Sequence, residues 1–264
     1  DDDFGDDPDG QVRSERTAAE VNERALPWLI AAAASDEPFF AWIHYYDAHA
    51  PYVPPSPFAE RFAGHLYDGE LGFADAQLER ALGVLTRAGV LDHTVILLSG
   101  DHGEGLGDHG ESEHGLLLYE PTIAVPLAIR APWAIPKGRL RNDLVSLVDL
   151  APTLAALAHV PFPATVDGRD LLAAWPSLPE GDDPSSVGPA RAVYAESFFA
   201  AEEFSWAPIM AVRRGGMKWI AAPRPERYDL DVDPEESVNL AGRDGGKDAA
   251  MDAALKHMGV SSLV

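Results

Sequence analysis

Residues 101–115, DHGEGLGDHGESEHG, hold Asp101, His102, Glu104, His109 and His114 within fifteen positions. Imidazoles and carboxylates at this density can bind a small anion or a metal ion and can move protons near neutral pH. The glycines at 103, 105, 107 and 110 argue against a helix, since each interior glycine costs about 1 kcal/mol relative to alanine. The stretch is expected to be a folded loop. A solvated acidic loop is the competing reading. Against it stands the position of Asp101 and His102, directly after the apolar run Thr94, Val95, Ile96, Leu97 and Leu98.

That run reads as a strand buried on both faces, and ligands bind at the carboxyl edge of strands in open α/β sheets. A second apolar run, Phe39 to Ile43, leads into HYYDAHAPY, so a second buried strand is expected to deliver His49 to a loop kept irregular by Pro51, Pro54, Pro55 and Pro57. His49 reads as functional, and His44 as a core or edge-strand histidine.

Elements are needed to hold these loops. Ala18, Val21, Ala25, Leu26, Leu29 and Ile30 are spaced for a helix over 14–34, with Pro27 as a kink or a boundary. Leu71, Ala74, Leu78, Ala81, Leu82 and Leu85 predict a crossover helix over 67–88, ended by Gly89. Ile123 to Ile129 predicts an edge strand broken by Pro126, and 149–158 a short helix with Asp149 as its cap. Strand, loop, helix, strand is the rhythm of a parallel sheet. After a linker-like stretch at 176–189 come a strand at 191–198 and a hairpin, Ile209 to Arg213 and Met217 to Ala221, turning at Gly215 and Gly216. A polar, turn-rich stretch follows at 231–239, then a short helix at 246–258.

The expected class is therefore α/β: a mostly parallel sheet sandwiched by helices, plus a small carboxyl-terminal antiparallel sheet with a helix. The expected organisation is an acidic, disordered lead at 1–13, the main α/β domain at 14–175 and the small subdomain at 190–264. A net charge of −23 argues against nucleic acid and against anionic membrane surfaces, which require a basic footprint. An anionic substrate would have to be met by local positive charge. Without cysteine, disulfides and thiolate metal sites are excluded. No run approaches the ~18 apolar residues of a membrane span.

Five segments in order resemble the sulfatase family of the alkaline phosphatase superfamily. They are HYYDAHAPYVPPSPF, YDGELGFADAQLERALGVL, LLSGDHGEGLGDHGESEHGLLLYEPTIAVPLAIRAP, LVSLVDLAPTLAALAHVPFPATVDGRDLL and MKWIAAPRPERYDLDVDPEESVNLAG, and together they span about residues 14–242. The resemblance implies an alkaline phosphatase-like fold and metal-dependent hydrolysis of sulfate esters. Asp101 and His102 match two ligands of one divalent cation. Calcium is the first expectation, and the imidazole at 102, where many calcium-type members have Asn, admits manganese or zinc. His49 matches a histidine that contacts the transferred group or protonates the leaving oxygen. His114 matches a residue on the substrate anion, with His109 beside it. Glu104 reads as an anchor of the loop, and Lys218 as structural. An exported or periplasmic location follows from the resemblance alone.

One feature of the family pattern is missing. The chain has no cysteine and no Ser or Thr followed by x-Pro-x-Arg, the context of the family's formylglycine nucleophile. The expectation is a carboxyl-terminal portion of a sulfatase-like enzyme that is inactive alone and is partnered by an amino-terminal segment of the same domain. Strands that would neighbour that segment are expected to expose an edge or an apolar face. Two alternatives are a phosphoethanolamine transferase or phosphonate or phosphodiester hydrolase of the same superfamily, and a non-catalytic module that binds an anion or a partner.

Overall fold

A computed structural model of the protein describes residues 15–173 and 191–242. The acidic lead, the 176–189 linker and the 246–258 helix expected from the sequence lie wholly or almost wholly outside the described residues. The chain forms two compact units that meet in sequence between Thr94 and Val95.

The unit ending at Thr94 is built on two helices, α1 (Ala18–Ala33) and α3 (Leu66–Arg87), with the four-residue α2 (Phe58–Arg61) between them. Thr17 starts α1 with a reciprocal cap, its hydroxyl accepting from Glu20 N–H while the Glu20 carboxylate accepts from Thr17 N–H. The helix runs through Pro27 rather than breaking there. Its buried Asn22 is fully satisfied: the side-chain amide donates to the Gln77 carbonyl at 2.9 Å, and its oxygen accepts from the Tyr45 hydroxyl at 2.9 Å.

On α3 the buried face coincides only in part with the one the leucines suggested, sharing Ala81 and Leu85 with it. Glu70, Phe73, Gln77, Ala81, Val84 and Leu85 are buried, whereas Leu71 is 45% exposed. Two apolar stripes wind around this helix one residue apart, and polar partners decide between them. The Glu70 carboxylate accepts from His49 N–H at 3.0 Å and Val53 N–H at 2.7 Å, which draws the adjacent face inward.

The expected strand at 39–43 is absent. Phe40 and Trp42 are 74% and 83% exposed, and no described strand pairs with this segment. A strand is defined by a partner, which an apolar run cannot supply for itself. His44, expected in a core or on an edge strand, is exposed on irregular backbone.

In the unit beginning at Val95, β1 (Ile96–Ser99) pairs antiparallel with β2 (Leu127–Arg130). This corrects the expected parallel arrangement for the described residues. The link between the two strands is the glycine-rich loop and the single turn α4 (Glu120–Ile123), not a crossover helix, so the chain reverses direction. β1 is also half open, with Leu98 45% exposed, instead of buried on both faces. The predicted strand at 123–129 starts only after Pro126, because its first residues close α4.

Helix α5 (Leu150–Leu157) lies where the sequence placed it. Asp149 is wholly buried, yet it does not cap that helix with its side chain. Its carboxylate accepts from Ser146 N–H and Arg169 N–H at 2.9 Å each and pairs with Arg191.

The antiparallel sheet matches expectation and adds a strand: β3 (Ala192–Ser197), β4 (Ile209–Arg214), β5 (Met217–Ala221) and β6 (Glu226–Asp229), side by side in that order. The six-residue α6 (Phe199–Phe204) links β3 to β4. Alternate β4 residues serve opposite faces. Ile209 and Ala211 pack with Leu118, Ile220, Tyr228 and Leu230, and Met210 and Val212 pack with Ala221. Tyr119 and Ile123 also lie on the first cluster, so the sheet seats the chain immediately after the glycine-rich loop.

Candidate functional site

The loop after β1 folds back on itself. Gly103 N–H donates to Thr122 O at 2.8 Å, Glu104 N–H to Pro121 O at 2.9 Å, and Gly105 N–H to Glu113 O at 2.8 Å. The approach is too close for a side chain: a Cβ at Gly103 would stand 2.0 Å from Pro121 O, and one at Gly105 2.4 Å from Glu111 O. Glu111 is buried and its carboxylate accepts from Leu116 N–H at 2.7 Å and from Leu117 N–H at 3.1 Å, closing the second arm of the loop.

This folding lays two of the predicted histidines on one another. The His102 and His114 rings stack with centroids 3.8 Å apart and planes 25° apart. Glu104 is buried, and its Oε1 lies 3.2 Å from His114 Nδ1. A carboxylate accepts only, so the proton on that side belongs to Nδ1, and Nε2 points away from Glu104.

His102 is fixed in the same sense by the Gly103 carbonyl, 2.9 Å from its Nδ1. Its Nε2 then carries the lone pair, 3.8 Å from Asp101 Oδ1. Both side chains reach solvent, at 42% for His102 and 67% for Asp101. Donors this far apart can share one cation with bonds of about 2.0–2.6 Å. As a donor set the pair fits part of a coordination shell. Among the described residues no cluster of three or more histidines and carboxylates could hold a metal alone.

His109 lies outside that stack. Its ring lies on Tyr119, with centroids 3.6 Å and planes 10° apart, on left-handed backbone at φ 51° between Gly107 and Gly110. The Tyr119 hydroxyl donates to Glu226 at 2.7 Å, and so does the Tyr228 hydroxyl at 2.7 Å. Burial first, and then the Glu226 carboxylate, push the Tyr119 phenol up to about 12. Tyr228 is pushed up as well, for the same two reasons in the same order.

One residue further, Glu120 meets Arg213 at 2.5 Å and Lys218 at 3.1 Å, and Lys218 meets Glu236 at 2.8 Å. Glu236 also accepts from Glu120 N–H at 2.6 Å. Lys218 is completely buried, as a structural lysine would be. Sequence reasoning missed the partners of Glu120, which lie 93 to 116 positions away.

His49 lies in the other unit. Its Nδ1 is 2.7 Å from the Ala50 carbonyl, so Nε2 is its lone-pair nitrogen when the ring is neutral, and its ring lies 4.4 Å from that of Tyr46. Glu70 holds its backbone, and burial raises the Glu70 carboxyl above the ordinary glutamate range.

Stacked imidazoles beside a carboxylate on a glycine-rich turn can bind a small anion and move protons. The fold has a counterpart among solved structures. The crystal structure of the phosphonate monoester hydrolase of Agrobacterium radiobacter superposes with a TM-score of 0.74 at 21% identity, covering 98% of this chain and 65% of that one.

The chain belongs to the sulfatase family, whose model matches residues 2–160. A second model, N-sulphoglucosamine sulphohydrolase, C-terminal, matches residues 107–258. The choline-sulfatase of Rhizobium meliloti strain 1021 is 33% identical over 177 residues, which is 66% of this chain and 32% of that protein. Human arylsulfatase A is 30% identical over 255 residues, 86% of this chain and 49% of that protein. The chain thus spans about half or less of the length of these relatives.

Proposed function

We propose that these residues form part of the oxyanion and metal site of an enzyme that hydrolyses sulfate esters. The observation that carries this reading is the Glu104, His114, His102 arrangement, in which a buried carboxylate orients one imidazole against another beside Asp101. Membership of the sulfatase family supports the reaction class.

Asp101 and His102 would hold one divalent cation, calcium first and manganese or zinc next. Such a cation, when bound, offsets charge on the non-bridging oxygens of the transferred group. His114, its Nδ1 proton held by Glu104, turns Nε2 to the substrate anion and, when protonated, donates to one of those oxygens. His49, in the other unit, is oriented through the Ala50 carbonyl, and its Nε2, when protonated, is a proton donor of the kind the family resemblance implies. His109, seated on Tyr119, contacts the substrate from the loop tip. None of the 264 residues is a cysteine, and none is a Ser or Thr in the x-Pro-x-Arg context. The nucleophile is therefore assigned to no residue of this chain, which by itself binds ligands without turning over. An exported location belongs to the same reading and rests on the family alone.

The test is a pair of calorimetric titrations. Calcium, manganese and zinc are titrated into wild type, Asp101→Asn and His102→Ala, and each substitution is expected to weaken the preferred metal by tenfold or more. Inorganic sulfate is titrated in the presence of that metal into wild type and His114→Ala, with a similar loss expected. Wild-type affinities in all three variants would overturn the reading.

A further inference from the structure

The residue after His114 is Gly115, on left-handed backbone at φ 96°, and a Cβ there would meet no atom within 4 Å. It is glycine for its torsion and not for want of space. That choice has a drawback, because the most permissive residue type stands where the aim of the imidazole is set. Something outside Gly115 must hold its torsions.

The peptide between Gly115 and Leu116 is gripped at both edges. Its N–H, from Leu116, donates to Glu111 Oε1 at 2.7 Å, and its carbonyl, from Gly115, accepts from the Ser197 hydroxyl. Glu111 belongs to the loop itself, whereas Ser197 lies 82 positions beyond Gly115. The Ser197 oxygen also accepts from Phe199 N–H at 3.3 Å, which leaves its single proton directed at Gly115.

The far end of this grip is firmly seated. Ser197 is buried and closes β3, paired with Ile209 on β4. Ala195, two residues earlier on the same face of the strand, packs against the cluster that contains Ile209 and Leu118. The strand end that carries the hydroxyl is thus held by the same side chains that seat the chain as it leaves the glycine-rich loop.

We propose that Ser197 is a positioning residue for His114. From the carboxyl-terminal sheet it locks the 115–116 peptide, and so keeps the imidazole, hydrogen-bonded to Glu104, turned to the anion. This rests on the reading of His114 as a contact to the sulfate group. Without the hydroxyl, Glu111 still holds the N–H edge, but Gly115 regains its freedom and the imidazole spends part of its time off the anion. The loss should be smaller than that from deleting the imidazole.

The test titrates inorganic sulfate, with the preferred divalent cation present, into wild type, Ser197→Ala, Ser197→Thr, Ser197→Cys, His114→Ala and the double variant His114→Ala/Ser197→Ala. Ser197→Ala should bind sulfate about fivefold more weakly, the equivalent of one hydrogen bond. Ser197→Thr keeps the hydroxyl and should stay within about twofold of wild type, whereas Ser197→Cys, with a weak donor, should follow alanine. In the His114→Ala background the loss of the hydroxyl should cost nothing further, an outcome that general loosening of the fold would not give. Ser197→Ala should still melt cooperatively, about 2–4 °C below wild type. Wild-type affinity in Ser197→Ala, a threonine variant as weak as alanine, or an equal loss in both backgrounds would each overturn the proposal. Alanine and cysteine variants that no longer melt cooperatively would overturn it too, since they would mark Ser197 as a residue of the fold alone. Sulfate affinity indifferent to His114→Ala would instead overturn the reading beneath it.

Discussion

Tyr119 shows how a single residue can join a candidate site to a distant strand. Its ring carries His109 while its hydroxyl donates to Glu226 on β6, an acceptor it shares with Tyr228. Two phenols on one carboxylate are stable only while both keep their protons. Tyr119 is pushed up to about 12 and Tyr228 is raised too, whereas an unfolded tyrosine titrates at about 10. A group whose folded value is raised contributes fully below its unfolded value, and the contribution fades as pH climbs through the folded one. The unit from Val95 should therefore hold its stability up to about pH 10 and lose it progressively toward 12. Phenolate absorbance followed alongside thermal melts checks this: Glu226→Gln should bring the Tyr119 transition down toward 10 and flatten the alkaline loss of stability. A Tyr119 transition unmoved by that substitution would mean burial alone sets it.

At the scale of elements, the glycine-rich loop works because backbone meets backbone. Gly103 and Gly105 are needed for the absence of a side chain, since Pro121 O and Glu111 O occupy the space a Cβ would fill. Gly103→Ala should displace the 119–123 strut and break the donation from Gly103 to Thr122. A loss of about 1–3 kcal/mol is expected, as for other overpacked sites. Chemical denaturation measures that loss, and the tenfold weakening of sulfate that should accompany it shows that the His102 and His114 stack has come apart. An alanine accommodated with full stability and full sulfate affinity would show the loop to be slack.

Much of this scaffold could be read in the sequence, and the failures have physical causes. The hairpin at Gly215 and Gly216, the extent of α3 and the loop nature of 102–114 followed from glycine placement and periodicity, because those signals are local. Periodicity could not choose between the two apolar stripes of α3, since the choice depends on Glu70 meeting the amides of His49 and Val53. Nor could it supply a partner for 39–43 or a direction for β1. The short β6, Glu226–Asp229, escaped notice because three of its four residues are charged and only Tyr228 is buried. Asp101, His102 and His114 stood out by type and spacing. The supports of the site, Glu226, Lys218 and Glu236, come from so far along the chain that only folding reveals them.

For the molecule as a whole, charge opposes the proposed ligand. A net charge of −23 places a sulfate monoester in a repulsive field until it reaches the loop, where the proposed cation together with the imidazoles would reverse the sign locally. The long-range part is screened by salt and the local part much less: the Debye length falls from about 30 Å at 0.01 M to about 8 Å at 0.15 M ionic strength. Association of a sulfate ester should therefore quicken as salt is added, opposite to the behaviour of basic anion-binding proteins. Stopped-flow binding of phenyl sulfate, with a poorly coordinating salt and the preferred metal saturating, checks the sign. A several-fold rise in the association rate across that range, with dissociation nearly constant, is expected. A fall would mean that the positive potential of the occupied site reaches well beyond the loop, and that the acidic surface lies too far from the entrance to be felt.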